Sequence, residues 1–311
     1  MNILFLGTDH FAVPSLEALA ERHRVAAVVT QPDKPRGRGK KVSPTPVKIA
    51  AERLGIPVME PKSLKGAKFC QEISRLDFDI VVLVAYGRLL PEDFLCRPQK
   101  GCICLHPSKL PQYRGCSPIE CAILDGRKST GISVFKIDRE FDTGDVIFQK
   151  DMEIGEDETG GSLRERLSRD SAGVLLEALD SLEKGEAQSI SQDNGQASWA
   201  PKITREDGRI DWGETAERCR NRIRAFNPKP GAFTTLRGKT IKVLKADVAA
   251  HAEGESLPPG TIAGIEKNKG LRVSCGEGAL TLTQVQPEGK APMSGWAFVL
   301  GSRPQPGERL E

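Results

Sequence analysis

The run Ile80-Val-Val-Leu-Val-Ala-Tyr86 is the most apolar stretch of the chain and the one that most narrows its architecture. A strand with one face in water alternates apolar and polar residues; this one does not, so both of its faces must be covered. A central strand of a parallel sheet with helices on either side meets that requirement. The flanking sequence agrees. Asn2 to Leu6 is a short apolar run closed by Gly7-Thr8, and Pro14-Ser-Leu-Glu-Ala-Leu-Ala-Glu21 follows with helical spacing and proline in the first turn. Val25 to Thr30 reads as a second strand, Val47 to Leu54 as a helix stopped by Gly55, and Pro57 to Met59 as a short strand. Cys102 to Leu105, Gly131 to Ile137 and Val146 to Lys150 complete the strands, with a helix at Pro118 to Leu124. Strand and helix in alternation predict an α/β domain with a Rossmann-like, mostly parallel, doubly wound sheet. The carboxyl ends of its strands would gather Gly7-Thr8, Tyr86-Gly87 and His106 on one edge, where ligands bind in such sheets.

From Thr159 to Leu182 the apolar positions Leu163, Leu167, Val174, Leu175, Ala178, Leu179 and Leu182 share one face of a long helix that would close this domain. Ser189 to Asp207 is polar and aperiodic, so the boundary is placed there: residues 1–188, a linker at 189–207, and a second domain at 208–311. A chain of 311 residues suits two domains. After a helix at Glu214 to Ala225, short strands at Thr234-Thr-Leu236, Thr240 to Leu244, Gly260 to Ala263, Leu271-Arg-Val273 and Ala279 to Thr283 predict a small β-barrel resembling the oligonucleotide-binding (OB) fold. The formal net charge of +3 is unevenly spread: residues 201–311 carry 18 Lys and Arg against 13 Asp and Glu. That excess fits a polyanion-binding domain as well as an ordinary solvated surface. The first apolar run is too short for a signal peptide or membrane span, and eight scattered cysteines without a secretory signal suggest reduced thiols in a cytoplasm.

Two clusters carry chemistry. Cys104 and His106 fall on the same side of their strand if its geometry persists, and Asp142, in Phe141-Asp-Thr-Gly-Asp145, is a carboxylate able to orient the imidazole. Cys102, Cys104 and His106 also spell Cys-x-Cys-x-His, but the spacing is not that of a zinc knuckle and a fourth ligand is missing nearby, so no metal is expected. The segment Thr30 to Lys41 holds five basic residues and two prolines between a strand and a helix, and its glycines match neither phosphate-loop motif. It suits a phosphate backbone, or plain solvation. Arg218, Arg220, Arg222 and Arg224 step round their helix by about 200° each and form no single stripe. Trp212 and Trp296 read as packing residues.

Taken in order, Gly7-Thr8, Gln31 to Lys41, Val84-Ala-Tyr-Gly87, His106-Pro-Ser-Lys-Leu-Pro111 with Arg114-Gly115, Phe141 to Asp145 and Arg224-Ala-Phe-Asn-Pro228 resemble the methionyl-tRNA formyltransferase family. The resemblance implies transfer of a formyl group from 10-formyltetrahydrofolate to the amino group of methionine on initiator tRNA, by a cytoplasmic, monomeric enzyme that needs neither metal nor membrane. The family's catalytic His and Asp would be His106 and Asp142, and its Asn position is held by Cys104. The folate turn, usually Ser-Leu-Leu-Pro, stands as Ser108, Lys109, Leu110 and Pro111, with further pterin contacts at Ala85, Tyr86 and Gly87. Arg38 would be the loop arginine that meets tRNA, with Arg36, Lys40 and Lys41 beside it. Cys104 leaves two other outcomes open: a homologue that binds folate or tRNA with little turnover, and a transferase for another amine. Replacing Arg38 by Ala is expected to raise the KM for charged tRNA and flatten its salt dependence while leaving folate affinity unchanged; steady-state kinetics across a salt series provide the check.

Overall fold

The apolar run at residues 80–86 lies where its composition demands, in the middle of a sheet. The computed structural model describes residues 1–36, 41–95, 97–249 and 257–311. In chain order it begins with β1 (Asn2–Gly7), α1 (Val13–Arg22), β2 (Arg24–Val29), a hairpin of β3 (Lys34–Arg36) and β4 (Lys41–Ser43), α2 (Pro46–Arg53) and β5 (Val58–Met59). Next come α3 (Ala67–Ile73), β6 (Ile80–Val84), α4 (Glu92–Leu95), β7 (Cys102–His106), β8 (Arg114–Gly115) and α5 (Pro118–Leu124). β9 (Ser129–Lys136), β10 (Val146–Glu153), α6 (Gly160–Lys184) and β11 (Trp199–Ala200) follow. Seven strands form the main sheet in the order β10-β9-β7-β6-β1-β2-β5. Neighbours from β5 to β7 run parallel, and β9 runs antiparallel to β7, so the sheet is mostly parallel as expected.

Parallel neighbours end on the same edge, and the direction of winding reverses between β1 and β6. From β1 the chain steps outward through β2 to β5, then returns to β6 and proceeds the other way. Gly7 pairs with Val84 and Val84 with Leu105, which brings the ends of β1, β6 and β7 level with one another at the reversal point. The anchoring is hydrophobic. Ile80, Val81, Val82 and Val84 are fully buried, each worth about 1.5–3 kcal/mol relative to exposure before entropy is counted. Leu16 and Leu19 of α1 and Val47 and Ala51 of α2 are likewise buried. The predicted face of α6 is inward over most of its length: Leu163, Leu167, Val174, Leu175, Ala178 and Leu179 have at most 1% exposure, while Leu182 near the helix end is only partly buried.

The chain groups into two compact units. The first comprises Met1–Pro118, Thr130–Glu153 and Arg164–Ala200; the second comprises Ile119–Ser129, Ile154–Leu163 and Pro201–Glu311. Two short excursions from the first half therefore pack with the second, an arrangement that a single cut in the sequence cannot represent. The second unit continues with α7 (Ala216–Ala225), β12 (Ala232–Leu236), β13 (Lys239–Ala249), β14 (Ile262–Glu266), β15 (Gly270–Ser274), β16 (Ala279–Pro287), β17 (Met293–Ser294) and α8 (Gly295–Ser302). Its sheet, β12-β13-β16-β15-β14 with β17 on β16, is antiparallel at every pairing described. Residues 307–311 tie its two edges together. Thr235 and Glu311 exchange backbone bonds of 2.8 and 3.0 Å, and Ile262 bonds to Gly307 and Glu308 at 2.9 and 2.8 Å. Stitching both edges to one segment closes the sheet, which removes exposed strand edges as a barrel does.

Trp212 is a packing residue, buried with its indole N–H donating to Thr234 Oγ1 at 3.0 Å, and Trp296 packs against the same core. The four α7 arginines diverge as their spacing requires. Arg218 pairs with Glu214, Arg220 with Asp157, Arg222 donates to the Asp207 carbonyl, and Arg224 donates to the carbonyls of Gly155 and Glu156. Among the described residues no helix is long and apolar enough to cross a membrane.

Candidate active site

β7 runs to His106, so the two-residue period places the Cys104 and His106 side chains on one face of the strand. Cys104 is 9% exposed and packs with Leu110, Phe135 and Val146, its Sγ 3.6 Å from the Leu105 carbonyl. Burial pushes this thiol well up, and the negative charge of Asp142 pushes it the same way. Cys104 is therefore a neutral thiol, not the thiolate of an ion pair with His106. Among the described residues no group of three or more His, Cys, Asp or Glu is arranged to hold a metal ion.

His106 is 6% exposed, and its Nε2 lies 2.8 Å from the Tyr113 carbonyl. A carbonyl has no proton to give, so Nε2 carries the hydrogen and Nδ1 is the nitrogen left for chemistry. Nδ1 faces Asp142 Oδ2 at 3.6 Å, close enough for electrostatic attraction to an imidazolium but too far for a hydrogen bond. Asp142 Oδ2 accepts the Gly115 N–H at 2.8 Å, and among the described residues nothing donates to its Oδ1. Asp142 itself sits at φ 58°, a left-handed conformation that surrounding bonds must hold in place. Gln192 supplies two of them, its amide donating to the carbonyls of Asp142 and Gly144 at 2.9 and 2.7 Å. Gly144 is required next to it, since a Cβ there would collide with the Lys136 carbonyl.

The turn after His106 is shaped from the neighbouring strand. The Ser133 hydroxyl, fully buried on β9, donates to the Ser108 carbonyl at 2.7 Å, accepts the Leu110 N–H at 3.1 Å and accepts the Gln149 amide at 2.8 Å. Ser108 Oγ closes the turn by donating to the Gln112 carbonyl at 2.6 Å. Lys109 points outward to Asp151, an exposed pair of little energetic weight. At the end of β6, Ala85 and Gly87 have φ of 47° and 75°, and the Tyr86 ring between them is fully buried in the core. What residues 85–87 can present to a ligand is mainly backbone. The cationic loop gains a stem that its composition did not reveal: Lys34, Pro35 and Arg36 pair with Ser43, Val42 and Lys41. Arg38 and Lys40, with the side chains of Arg36 and Lys41, lie outside the described residues.

Part of the segment that reads as a polar linker returns to the site. Ile190 bridges Val146, Ser189 and Ser191 donate to Asp145, and Ser198 Oγ accepts the Tyr113 N–H at 2.8 Å. β11 then pairs with β8, so that a Cβ on Gly115 would lie 2.7 Å from the Ala200 carbonyl and 3.2 Å from the Trp199 ring. Arg114, 8% exposed, is held by Gln192 and Asn194 at 3.0 and 2.9 Å. Sequence reasoning missed Ser133, Gln192, Ser198 and Trp199. They belong to no spaced motif, and only the Ser/Gln/Asn richness of residues 189–207 hinted that this segment has many donors to place.

Residues 1–179 match the family model described as formyl transferase, and residues 202–303 match that of the formyl transferase C-terminal domain. A methionyl-tRNA formyltransferase from Geobacter metallireducens is 42% identical over 311 residues, spanning 100% of this chain and 98% of its own. Another, from Caldanaerobacter subterraneus, is 43% identical over 303 residues, 97% of each chain. Among solved structures, an N-formyltransferase from Helicobacter canadensis in complex with folinic acid and dTDP-3-aminofucose is alike in fold, with a TM-score of 0.68 at 19% identity over 92% of this chain and 99% of that one.

Two outcomes follow from this geometry. In the native protein at mildly alkaline pH, iodoacetamide is expected to modify exposed Cys116 while Cys104 stays unmodified until the protein unfolds, as read by peptide mass spectrometry. Ser133→Ala strands the Leu110 N–H and should lower stability by about 1–3 kcal/mol in chemical unfolding.

Proposed function

Because the chain belongs to the methionyl-tRNA formyltransferase family, we infer that it transfers the formyl group of 10-formyltetrahydrofolate to the amino group of methionine carried by initiator tRNA. The observation that carries the reading at the level of residues is the constellation of Cys104, His106 and Asp142 at the carboxyl edge of the sheet, beside the point where its winding reverses. Residues 1–188 would perform the transfer, with part of the 189–207 segment returning to their site, and 208–311 would bind tRNA. The enzyme would act in the cytoplasm as a monomer.

Each side chain has a distinct task in this reading. Asp142 is the proton acceptor: the Gly115 N–H fixes Oδ2, and Oδ1 is available to take the proton of the attacking amine directly or through a water. His106 works through Nδ1, because Nε2–H is committed to the Tyr113 carbonyl. In its protonated form it offers Nδ1–H to the oxygen of the formyl group as negative charge develops there. Cys104 stands where the family places an amide donor. A neutral thiol is a single weak donor, and its apolar surroundings keep it from becoming a charged repellent. Loss of one preorganised oxyanion donor typically costs about 2.7–4 kcal/mol, or roughly 10²–10³ in rate.

The folate would rest against the turns at Ser108, Lys109, Leu110 and Pro111 and at Ala85, Tyr86 and Gly87. The first turn is fixed by Ser133 and the second by donors to the Tyr86 carbonyl, so both offer preset backbone. Arg36 and Lys41 belong to the strands of the hairpin, and together with Arg38 and Lys40 they would contact the tRNA phosphates. A small amine acceptor would not require this cationic hairpin, which supports charged tRNA as the acceptor.

Asp142→Asn should cut kcat by about 10²–10⁴ with the folate Kd little changed, because the geometry survives and the proton acceptor does not. Cys104→Asn should raise kcat, with thermal melting recorded alongside because an amide enters an apolar pocket. A single-turnover assay with labelled formyl donor and charged initiator tRNA discriminates a slow enzyme, which completes one turnover, from a binding homologue, which transfers nothing.

A further inference from the structure

Gln31 has one end at each of the two substrate regions. It follows β2 by two residues, at the edge where the strand ends collect. Its Nε2 donates to the Tyr86 carbonyl at 2.7 Å, and Thr8 Oγ1 donates to the same oxygen at 3.3 Å. These donors hold a turn whose flanking residues, Ala85 and Gly87, both have positive φ. The approach is close enough that a Cβ on Gly87 would meet Gln31 Nε2 at 3.3 Å. The other end of the same amide, Oε1, accepts from Lys34 Nζ at 2.9 Å.

Lys34 is the first residue of β3 and pairs in register with Ser43 of β4, so its backbone is part of the cationic hairpin. The neighbouring Asp33 clamps the base of that hairpin. Its Oδ2 is 3.0 Å from Lys48 Nζ, which also meets Glu60 at 2.7 Å. The two acids hold Lys48 charged by raising its pKa. Lys48 is thus spent on the base of the hairpin, and Lys34 connects the hairpin to Gln31.

We propose that Gln31 is a positioning residue that couples the two substrates, so that tRNA on the hairpin tightens folate binding at residues 85–87, and folate tightens tRNA binding by the same factor. The inference rests on the reading of those two segments given above. An amide donates through nitrogen and accepts through oxygen, and both atoms are engaged, so its orientation is set from both sides. RNA that fixes the hairpin fixes Lys34, which holds the amide with Nε2 on the Tyr86 carbonyl; a ligand seated on the turn selects that same arrangement. Coupling between two binding sites is reciprocal.

The test measures the Kd of folinic acid for the full chain by calorimetry, with and without saturating methionyl-tRNA. The wild type should bind about fivefold or more tightly when tRNA is present. Gln31→Glu keeps an acceptor for Lys34 but loses the donor to Tyr86; Lys34→Met keeps the donor and loses the hairpin. Both should bring the ratio of the two Kd values to about 1. Only Gln31→Glu should weaken folinic acid binding in the absence of tRNA, which distinguishes a coupling role from general damage to the turn. A wild-type ratio near 1, or a ratio that survives in either variant, overturns the proposal while the reading of the two segments stands. If folinic acid fails to bind, or Arg38→Ala leaves tRNA affinity unchanged, that reading fails and the coupling proposal falls with it.

Discussion

The ladder that β6 makes with β1 on one side and β7 on the other sets where every candidate group can be. Parallel strands cannot be joined by a tight turn, so the chain must cross back over the sheet after each one, and consecutive strands finish on the same edge. With Gly7 opposite Val84 and Val84 opposite Leu105, the segments 8–9, 85–87 and 107–111 leave the sheet side by side. A one-residue slip of β7 would turn Cys104 and His106 to the opposite face. Burial of all five β7 residues, Cys102 to His106, is what makes such a slip costly, so the core and the site are stabilised by the same contacts.

Beyond the strand ends, the constraint is hydrogen bonding. Segments that leave a sheet and remain buried carry backbone groups that lack water and must find partners. Ser133 meets this need for the turn at 108–110, the Asp142 carboxylate for Gly115, and the return of residues 189–200 for Tyr113, Arg114 and Cys116. The same bonds that satisfy the backbone also aim the functional atoms. Gly115 N–H fixes one oxygen of Asp142, and the Tyr113 carbonyl decides which imidazole nitrogen keeps its proton.

The chemistry that results is uneven in strength. The carboxylate has Oδ2 anchored by the Gly115 N–H and, among the described residues, no donor to Oδ1. The imidazole has a defined working nitrogen and a nearby negative charge. The thiol is the weak member, since burial among Leu110, Phe135 and Val146 keeps it neutral and gives it only one poor donor. That placement argues against a covalent role for Cys104, because a nucleophilic thiol needs stabilisation of its anion and here both burial and Asp142 oppose it.

The sequence by itself determined most of the strands and helices of both units and their alternation, but not the β3–β4 hairpin, the helices α3, α4 and α8 or the short strands β8, β11 and β17. Strand and helix periodicity record which side of a segment is buried, and that is local information: the apolar run at 80–86, the face of α6 and the short strands after residue 231 were all legible in it. The resemblance then pointed to His106, Asp142 and Cys104. Tertiary structure decided what periodicity does not encode. It assigned the protonated nitrogen of His106, closed the antiparallel sheet with residues 307–311, bound the α7 arginines within their own unit, and turned part of an apparent linker into a wall of the site. Each of these rests on partners brought together from afar, such as Gly115 with Asp142 across 27 residues and Tyr113 with Ser198 across 85. A hydrogen bond depends on where two backbones pass, within a few tenths of an ångström, and no pattern along either segment states that in advance.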